Sequence, residues 1–469
     1  MKLTRPHIIA SVLGLILLVG LISPVVPHPT FEAYTGIQSF SGEVAYQELE
    51  RFVDLYPYRY AGSDACLAAA DYVATRMRDI GLTVEFQDFD TYSALQVDVQ
   101  NEQRGSPFNP GRNVKSIFRP LTGRNVIGFL PGRSSETIII GAHRDVISTI
   151  QGAEDNGTGT VAMLQIAEIL AAIEREYSSV FVSYDAEEIA IMGSERFIAK
   201  YADLDIILAL SLDMLGWKEA DRVGFYPFVA AGRRTDLWVY SLAMQLADLK
   251  PHYSPSIWQD MLKTSWQMIP TDTHPFARRG IPVLGIVAVN DKFPGYTDNR
   301  PIHTPNDTMS IVSADTILMT GQFVEQFLLT LESGAIDRGF TSLYVPRADG
   351  IIPPWYVGMS YALLIFGLVF ILAFDIYSHY VPLTRADFIR ELPWLARIAG
   401  LACGTTLFWF NLFSSLLSSL HLAVVLFIGF GLPGLGLLTF AYWRNKAGIS
   451  TANSSMVYSL GLLVLLLVG

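Results

Sequence analysis

Cysteine is almost missing from this sequence: Cys66 and Cys403 are the only two in 469 residues. One lies in a polar stretch and the other in an apolar run. The pair therefore supports neither a disulfide framework nor a thiolate metal site, and it leaves the redox compartment open. Charge is also scarce. Asp, Glu, Lys and Arg make up 16% of the chain, the net charge is -11, and no Lys/Arg cluster forms a stripe. That balance argues against a nucleic-acid footprint. No repeat or low-complexity tract occurs, which excludes solenoids and arrays. The long apolar runs hold no convincing acid or base, which argues against a transporter.

Apolar residues are plentiful. Mean hydropathy is +0.34, so part of the chain is expected in lipid. The length also exceeds the roughly 250–300 residues at which single cores stop growing. Lys2 and Arg5 precede an apolar run from Ile8 to about Val26, close to the roughly 20 residues of a membrane-spanning helix. The run is long for a signal peptide and no A-x-A-like site follows, so an uncleaved anchor is expected. After Pro353, apolar runs recur at about Val357–Phe374, Ile398–Leu420, Leu422–Tyr442 and Met456–Val468. Arg385, Arg390 and Arg397 fill one connector, Arg444 and Lys446 another, and the turn around His421 has no Lys or Arg. Basic loops on the inside give a multi-pass chain with a cytoplasmic N-terminus and residues from about 27 to 352 outside the cytoplasm. The expected organisation is an anchor and linker over 1–31, one large domain over 32–350, and a multi-span region over 351–469.

Between Glu32 and Asp349 short apolar strands alternate with amphipathic helices. Strands are predicted at Leu82–Phe89, Val126–Leu130, Thr137–Gly141, Val180–Tyr184, Ile206–Leu212 and Ile281–Val287. Helices are predicted at Thr158–Glu174, Gly193–Tyr201, Thr235–Leu246 and Ser313–Leu331, with helical periodicity also in Gly42–Gly81. Continuous apolar runs such as Ile138-Ile-Ile suit strands covered on both faces. The fold class that follows is α/β, a mainly parallel mixed sheet sandwiched by helices, with α-helical membrane segments.

Candidate metal ligands sit where these strands end. His143 and Asp145 follow one strand, Asp155 precedes a helix, Glu187 and Glu188 follow another strand, Asp213 ends the 206–212 run, and His303 lies beyond 281–287. Each alone has a plain reading as a surface turn, a cap or a loop histidine. Together they sit at strand carboxyl ends, where open α/β sheets gather ligands. Zinc takes imidazole nitrogen and carboxylate oxygen, and a zinc pair needs a bridging carboxylate plus a His and an acid for each ion. Asp155 can supply the bridge, His143 with Asp213 one set, and Glu188 with His303 the other. Glu187 is left over as a general base. Asp145 can accept the second N–H of His143 and fix its tautomer. Manganese or cobalt would also suit these donors.

The strings Gly141-Ala-His-Arg-Asp, Glu154-Asp-Asn-Gly-Thr-Gly, Ala186-Glu-Glu, Leu212-Asp-Met-Leu-Gly and His303-Thr with Asp307-Thr resemble the M28 family of zinc peptidases, in order along the extracytoplasmic segment. The resemblance implies zinc ligands His143, Asp155, Glu188, Asp213 and His303, Glu187 as general base, and a cis peptide after Asp155. The layout is similar to the endoplasmic reticulum and vacuolar membrane M28 peptidases. One departure stands out: in Thr271-Asp-Thr-His-Pro-Phe, Asp272 matches the family pattern but His274 is displaced by one residue, so His274 is given no ligand role. The expected function is a membrane-bound exopeptidase with two zinc ions, an aminopeptidase acting on peptides with a free N-terminus. Three alternatives stay open. A dizinc carboxypeptidase would use Arg278, Arg279 and Arg300 for the substrate carboxylate; the others are a zinc glutaminyl cyclase and a non-catalytic membrane receptor or scaffold.

Overall fold

A computed structural model describes residues 5–98, 105–106, 109–147, 150–226, 228–230, 233–247, 257, 271–290, 300–334, 336, 338, 343–347, 349–364 and 367. In chain order these form α1 (Arg5–Leu21), α2 (Gly42–Leu55), α3 (Asp64–Ile80), β1 (Thr83–Asp98), β2 (Gly105–Ser106), β3 (Asn109–Leu130), β4 (Thr137–His143), α4 (Thr158–Ala171), β5 (Ser178–Tyr184), α5 (Met192–Lys200) and β6 (Ile206–Leu212). There follow β7 (Arg222–Tyr226), β8 (Phe228–Ala230), β9 (Arg233–Arg234), α6 (Leu237–Leu246), α7 (His274–Arg278), β10 (Val283–Val289), α8 (Ala314–Ser333), β11 (Val345–Arg347) and β12 (Gly350–Ile352).

The main sheet has the order β1-β3-β5-β4-β6-β10-β7, with β2 beside β3. Its four central strands, β5, β4, β6 and β10, are mutually parallel. The flanks are antiparallel, through β3 on β5 and β7 on β10. The sheet is therefore mixed, and parallel only at its centre. The physical reason lies in the flanking sequence: β3 joins β1 as a hairpin arm paired from Thr83↔Phe129 out to Asp98↔Val114. Much of that arm is polar, so only its apolar root was legible in the sequence.

The triple isoleucine shows how both faces are covered. Ile138 and Ile140 pack into a core shared with α2, α3, α4 and α8, while Ile139 packs opposite, with Phe197 of α5 and Phe276 of α7. Successive side chains of a strand point to opposite faces, so a strand covered on both sides needs an unbroken apolar run. Serine caps begin the flanking helices. Ser41 accepts from the Val44 N–H at the start of α2, and Ser63 from the Cys66 N–H at the start of α3. α3 ends at Gly81, whose φ of 103° is open to glycine without a Cβ clash.

The apolar run expected as an anchor, residues 8–26, lies largely in the 17-residue helix α1. The helix stops at Leu21 because Pro24 disfavours helical backbone just before it. Among the described residues, no helix is long and apolar enough to cross a membrane. The chain leaving α1 pairs with the end of the domain: Val26 and Ile351 exchange both main-chain hydrogen bonds. Residues 354–364 are helical, and the Tyr356 hydroxyl donates to the Val19 and Ile22 carbonyls at 3.0 and 2.7 Å. The runs expected at 398–420, 422–442 and 456–468, and most of the run at 357–374, lie outside the described residues.

Candidate metal centre

The carboxyl ends of β4, β5 and β6 form one rim of the parallel centre, and the turns leaving them carry the expected residues. His143 closes β4 and is 2% exposed. Its Nε2 lies 3.3 Å from Asp155 Oδ1 and 3.6 Å from Asp213 Oδ1. His303 Nε2 lies 3.0 Å from the other Asp155 oxygen, Oδ2, and 3.2 Å from Glu188 Oε2. Two donor triads result, His143 with Asp155 and Asp213, and His303 with Asp155 and Glu188. Asp155 is common to both and offers one oxygen to each.

Local chain geometry puts these side chains there. Asp155 sits in a π-helical turn, Ala153–Gly157, and the Asp155–Asn156 peptide is cis, as the resemblance implied. The Asn156 amide donates to the Leu212 carbonyl at 2.8 Å, and its oxygen accepts from the Met214 N–H at 3.2 Å. One side chain thus fastens the Asp155 turn to the end of β6 on both sides of Asp213. Gly159 lets α4 approach this closely: a Cβ there would stand 2.1 Å from the Leu212 carbonyl oxygen. Ala186, Met214 and His303 hold positive φ of 59°, 56° and 57°. Such backbone costs about 1–3 kcal/mol per non-glycine residue, and all three fall on or beside candidate ligands.

Asp145 is fully buried. Its two oxygens accept from the main-chain N–H groups of Glu187 and Glu188 at 3.1 and 3.2 Å. The Asp145 carboxylate, expected to accept from His143, lies 3.6 Å from its Nδ1, and the main-chain oxygen of Asp145 lies nearer, at 3.1 Å. The Asp145 carboxylate is taken up by the two neighbouring glutamates, whose turn it holds.

Sequence reasoning assigned no role to the next ring of residues. Asp307 accepts from the Glu154 and Asp155 N–H groups at 2.8 and 3.2 Å. Glu154, fully buried, pairs with Arg300 at 3.2 Å and accepts from the Gly216 N–H. Both acids stand within the M28-like motifs, but only the fold shows which backbone groups they satisfy. Of the arginines considered for a carboxylate site, Arg300 is turned to Glu154 and Arg278 pairs with Glu195, while Arg279 is exposed. His274 begins α7 and lies in neither triad.

Charge dominates this rim. Burial would lower the His143 imidazole, but Glu187 and the carboxylates of Asp145, Asp155 and Asp213 outweigh it and raise it well above the usual range. His303 is opposed by burial in the same way and is pushed up to about 12 by Glu188 and Asp155. Asp155 is held below the carboxylate range because the two histidines outweigh its burial. Burial pushes Glu187 well above its ordinary value, opposed by His143 and reinforced by Asp272, Glu188 and Asp213. Asp272 is pushed up to about 7, chiefly by burial.

The donor set suits zinc. Ligand atoms about 2.1 Å from a tetrahedral zinc lie about 3.4 Å from one another. The four imidazole–carboxylate separations above, 3.0 to 3.6 Å, bracket that edge. Glu188 Oε1 and Asp213 Oδ1 are buried without a hydrogen-bond partner among the described residues, an arrangement suited to cation coordination.

A layered α/β domain with these donors at the carboxyl ends of its parallel strands defines a class, the metallopeptidase-like α/β domains. By sequence, the model of Peptidase family M28 matches residues 125–328, a stretch that contains all seven expected site residues. The alkaline phosphatase isozyme conversion protein of Escherichia coli is 26% identical over 191 residues, which are 37% of this chain and 51% of that protein. Leucine aminopeptidase 1 of Uncinocarpus reesii is 28% identical over 224 residues, 44% of this chain and 54% of its own. The chain spans about half the length of the curated relatives it matches. The crystal structure of BSAP, a zinc aminopeptidase from Bacillus subtilis, superposes with a TM-score of 0.50 at 16% identity, covering 65% of this chain and 98% of that one; the likeness is one of fold. The family match and the aminopeptidase relatives support a metallopeptidase.

Proposed function

We propose that this chain is a membrane-anchored, zinc-dependent exopeptidase that removes N-terminal residues from peptides. One observation carries the reading: Asp155 presents one carboxylate oxygen to His143, beside Asp213, and the other to His303, beside Glu188. In this reading His143, Asp155 and Asp213 hold one zinc ion and Asp155, Glu188 and His303 a second. Bound there, such a pair would activate water and polarise the scissile carbonyl.

Glu187 is the general base. It lies beside the ligand Glu188 without belonging to either triad, and burial raises its proton affinity, which suits a group that takes a proton from water and returns it to the leaving amine. Asp145 keeps Glu187 and Glu188 in register through their N–H groups. The acidic wall of Glu187, Glu188, Asp213 and Asp272 favours a substrate ammonium over a carboxylate. The internal pairing of Arg278 and Arg300 argues against a carboxypeptidase.

In the full chain, Glu187→Gln is expected to lower kcat by about three orders of magnitude or more while zinc content and fold are retained. Wild-type turnover in that variant would remove Glu187 from the role. Peptides blocked at the N-terminus should resist hydrolysis and C-terminally amidated ones should not; the reverse preference would indicate a carboxypeptidase.

The membrane reading is supported by the apolar runs and by α1, which exposes Leu13, Leu15, Leu18 and Leu21. The basic residues in alternate connectors support a catalytic domain outside the cytoplasm. Protease protection in oriented vesicles tests this: cleavage between β1 and β3 only from the cytoplasmic side would refute it.

A further inference from the structure

Arg59 comes from the turn after α2, far in sequence from every candidate ligand, yet it is fully buried. Its guanidinium donates to four main-chain carbonyls. Nε reaches Arg144 at 2.9 Å, Nη1 reaches Tyr56 at 2.9 Å and Gln151 at 3.0 Å, and Nη2 reaches Gly152 at 2.9 Å. The Phe52 ring covers it, 4.8 Å from the guanidinium carbon to the centroid. The backbone of the same turn adds two bonds: the Val146 N–H donates to the Arg59 carbonyl at 3.1 Å, and the Tyr58 N–H to the Ile150 carbonyl at 3.3 Å.

Buried guanidinium groups are usually spent on carboxylates or phosphates. Among the described residues, no carboxylate forms an ion pair with Arg59. Three of its four bonds go instead to the loop that joins His143 to Asp155. Arg144 follows His143 directly, and Gly152 stands three residues before Asp155. The loop has little slack there: Gly152 has a φ of +62°, and a Cβ on it would stand 2.1 Å from Val146 Cγ1 and 3.2 Å from Arg59 Nη2.

We propose that Arg59 is a positioning residue of the metal centre, holding both ends of the 144–152 loop and thereby setting the distance between His143 and the shared carboxylate of Asp155. This rests on the metal-centre reading above. The work is done by the planar fork, whose separate nitrogens reach carbonyls on both arms of the loop. A lysine ammonium carries the same charge on a single nitrogen and cannot span them.

The test uses the full-length chain and its Arg59→Lys and Arg59→Gln variants, with zinc affinity measured by competition against a chromophoric chelator. Removing a partner that orients ligands typically weakens metal binding about 10–100-fold. Both variants are expected to fold, by circular dichroism, and to lose affinity in that range. The visible spectrum of bound cobalt is expected to be altered, and kcat to fall with little change in KM. If wild-type protein binds no zinc, the metal-centre reading itself fails. If the wild type binds but Arg59→Lys keeps its affinity and cobalt spectrum, charge alone suffices and the positioning role is overturned. Loss of fold in both variants would assign Arg59 to folding and overturn it as well.

Discussion

His303 lies between Asp155 and Glu188, and those two carboxylates keep its imidazole protonated far past neutrality. In the metal-free chain its pKa of about 12 stands above the ordinary 6.5. The stability it contributes is therefore complete below about 6.5 and declines as pH rises toward 12. A cation that binds there must displace that proton, so cation affinity climbs over the same interval. The difference in Tm between zinc-loaded and chelator-treated protein is expected to widen from about pH 6 to about pH 8. A difference that narrows would show that His303 does not exchange a proton for metal. Cys66 gives a second prediction at this scale. Its thiol is fully buried, 3.4 Å from Asp185, and burial raises it well above the ordinary thiol range. In a Cys403→Ser background, alkylation of Cys66 at mildly alkaline pH is expected only once the chain is unfolded. Rapid labelling of the native protein would contradict that.

The helices on the α2–α4–α8 face owe their stability to a few fully buried side chains and to their caps. Leu49 of α2 is 0% exposed within the larger core. Leu49→Ala is expected to cost about 2–5 kcal/mol in chemical denaturation, and a cost below about 1 kcal/mol would mean that α2 is loosely docked. Ser63→Ala, which removes the cap of α3, is expected to cost about 1 kcal/mol. The elements that the sequence revealed were those with a strong period. β6 occupies the predicted residues 206–212, while α4, α5, α6 and α8 stay within about three residues of the predicted ends. The outer arms of β1 and β3 went unseen because their pairing is set by hairpin register, not by apolar alternation. β7 was missed as well: it is a five-residue strand paired, among the described residues, on one side only, to β10.

At the scale of the whole molecule, the site is a convergence of segments running from Arg59 to His303, and the two kinds of information divide there. The sequence by itself determined the α/β class, the strand ends that carry His143, Asp145, Glu187, Glu188 and Asp213, and the M28-like order of motifs, because residue type and hydrophobic period are local properties. Tertiary structure decided which oxygen of Asp155 faces which histidine. It also turned the Asp145 carboxylate to the Glu187 and Glu188 N–H groups and committed Arg300 to Glu154. Arg59, which has no motif of its own in the reading of the chain, was brought against the loop between His143 and Asp155. These outcomes depend on buried polar groups finding partners that lie tens to hundreds of residues away. No local pattern encodes that choice, because the partner exists only once the sheet and its flanking helices have closed around it.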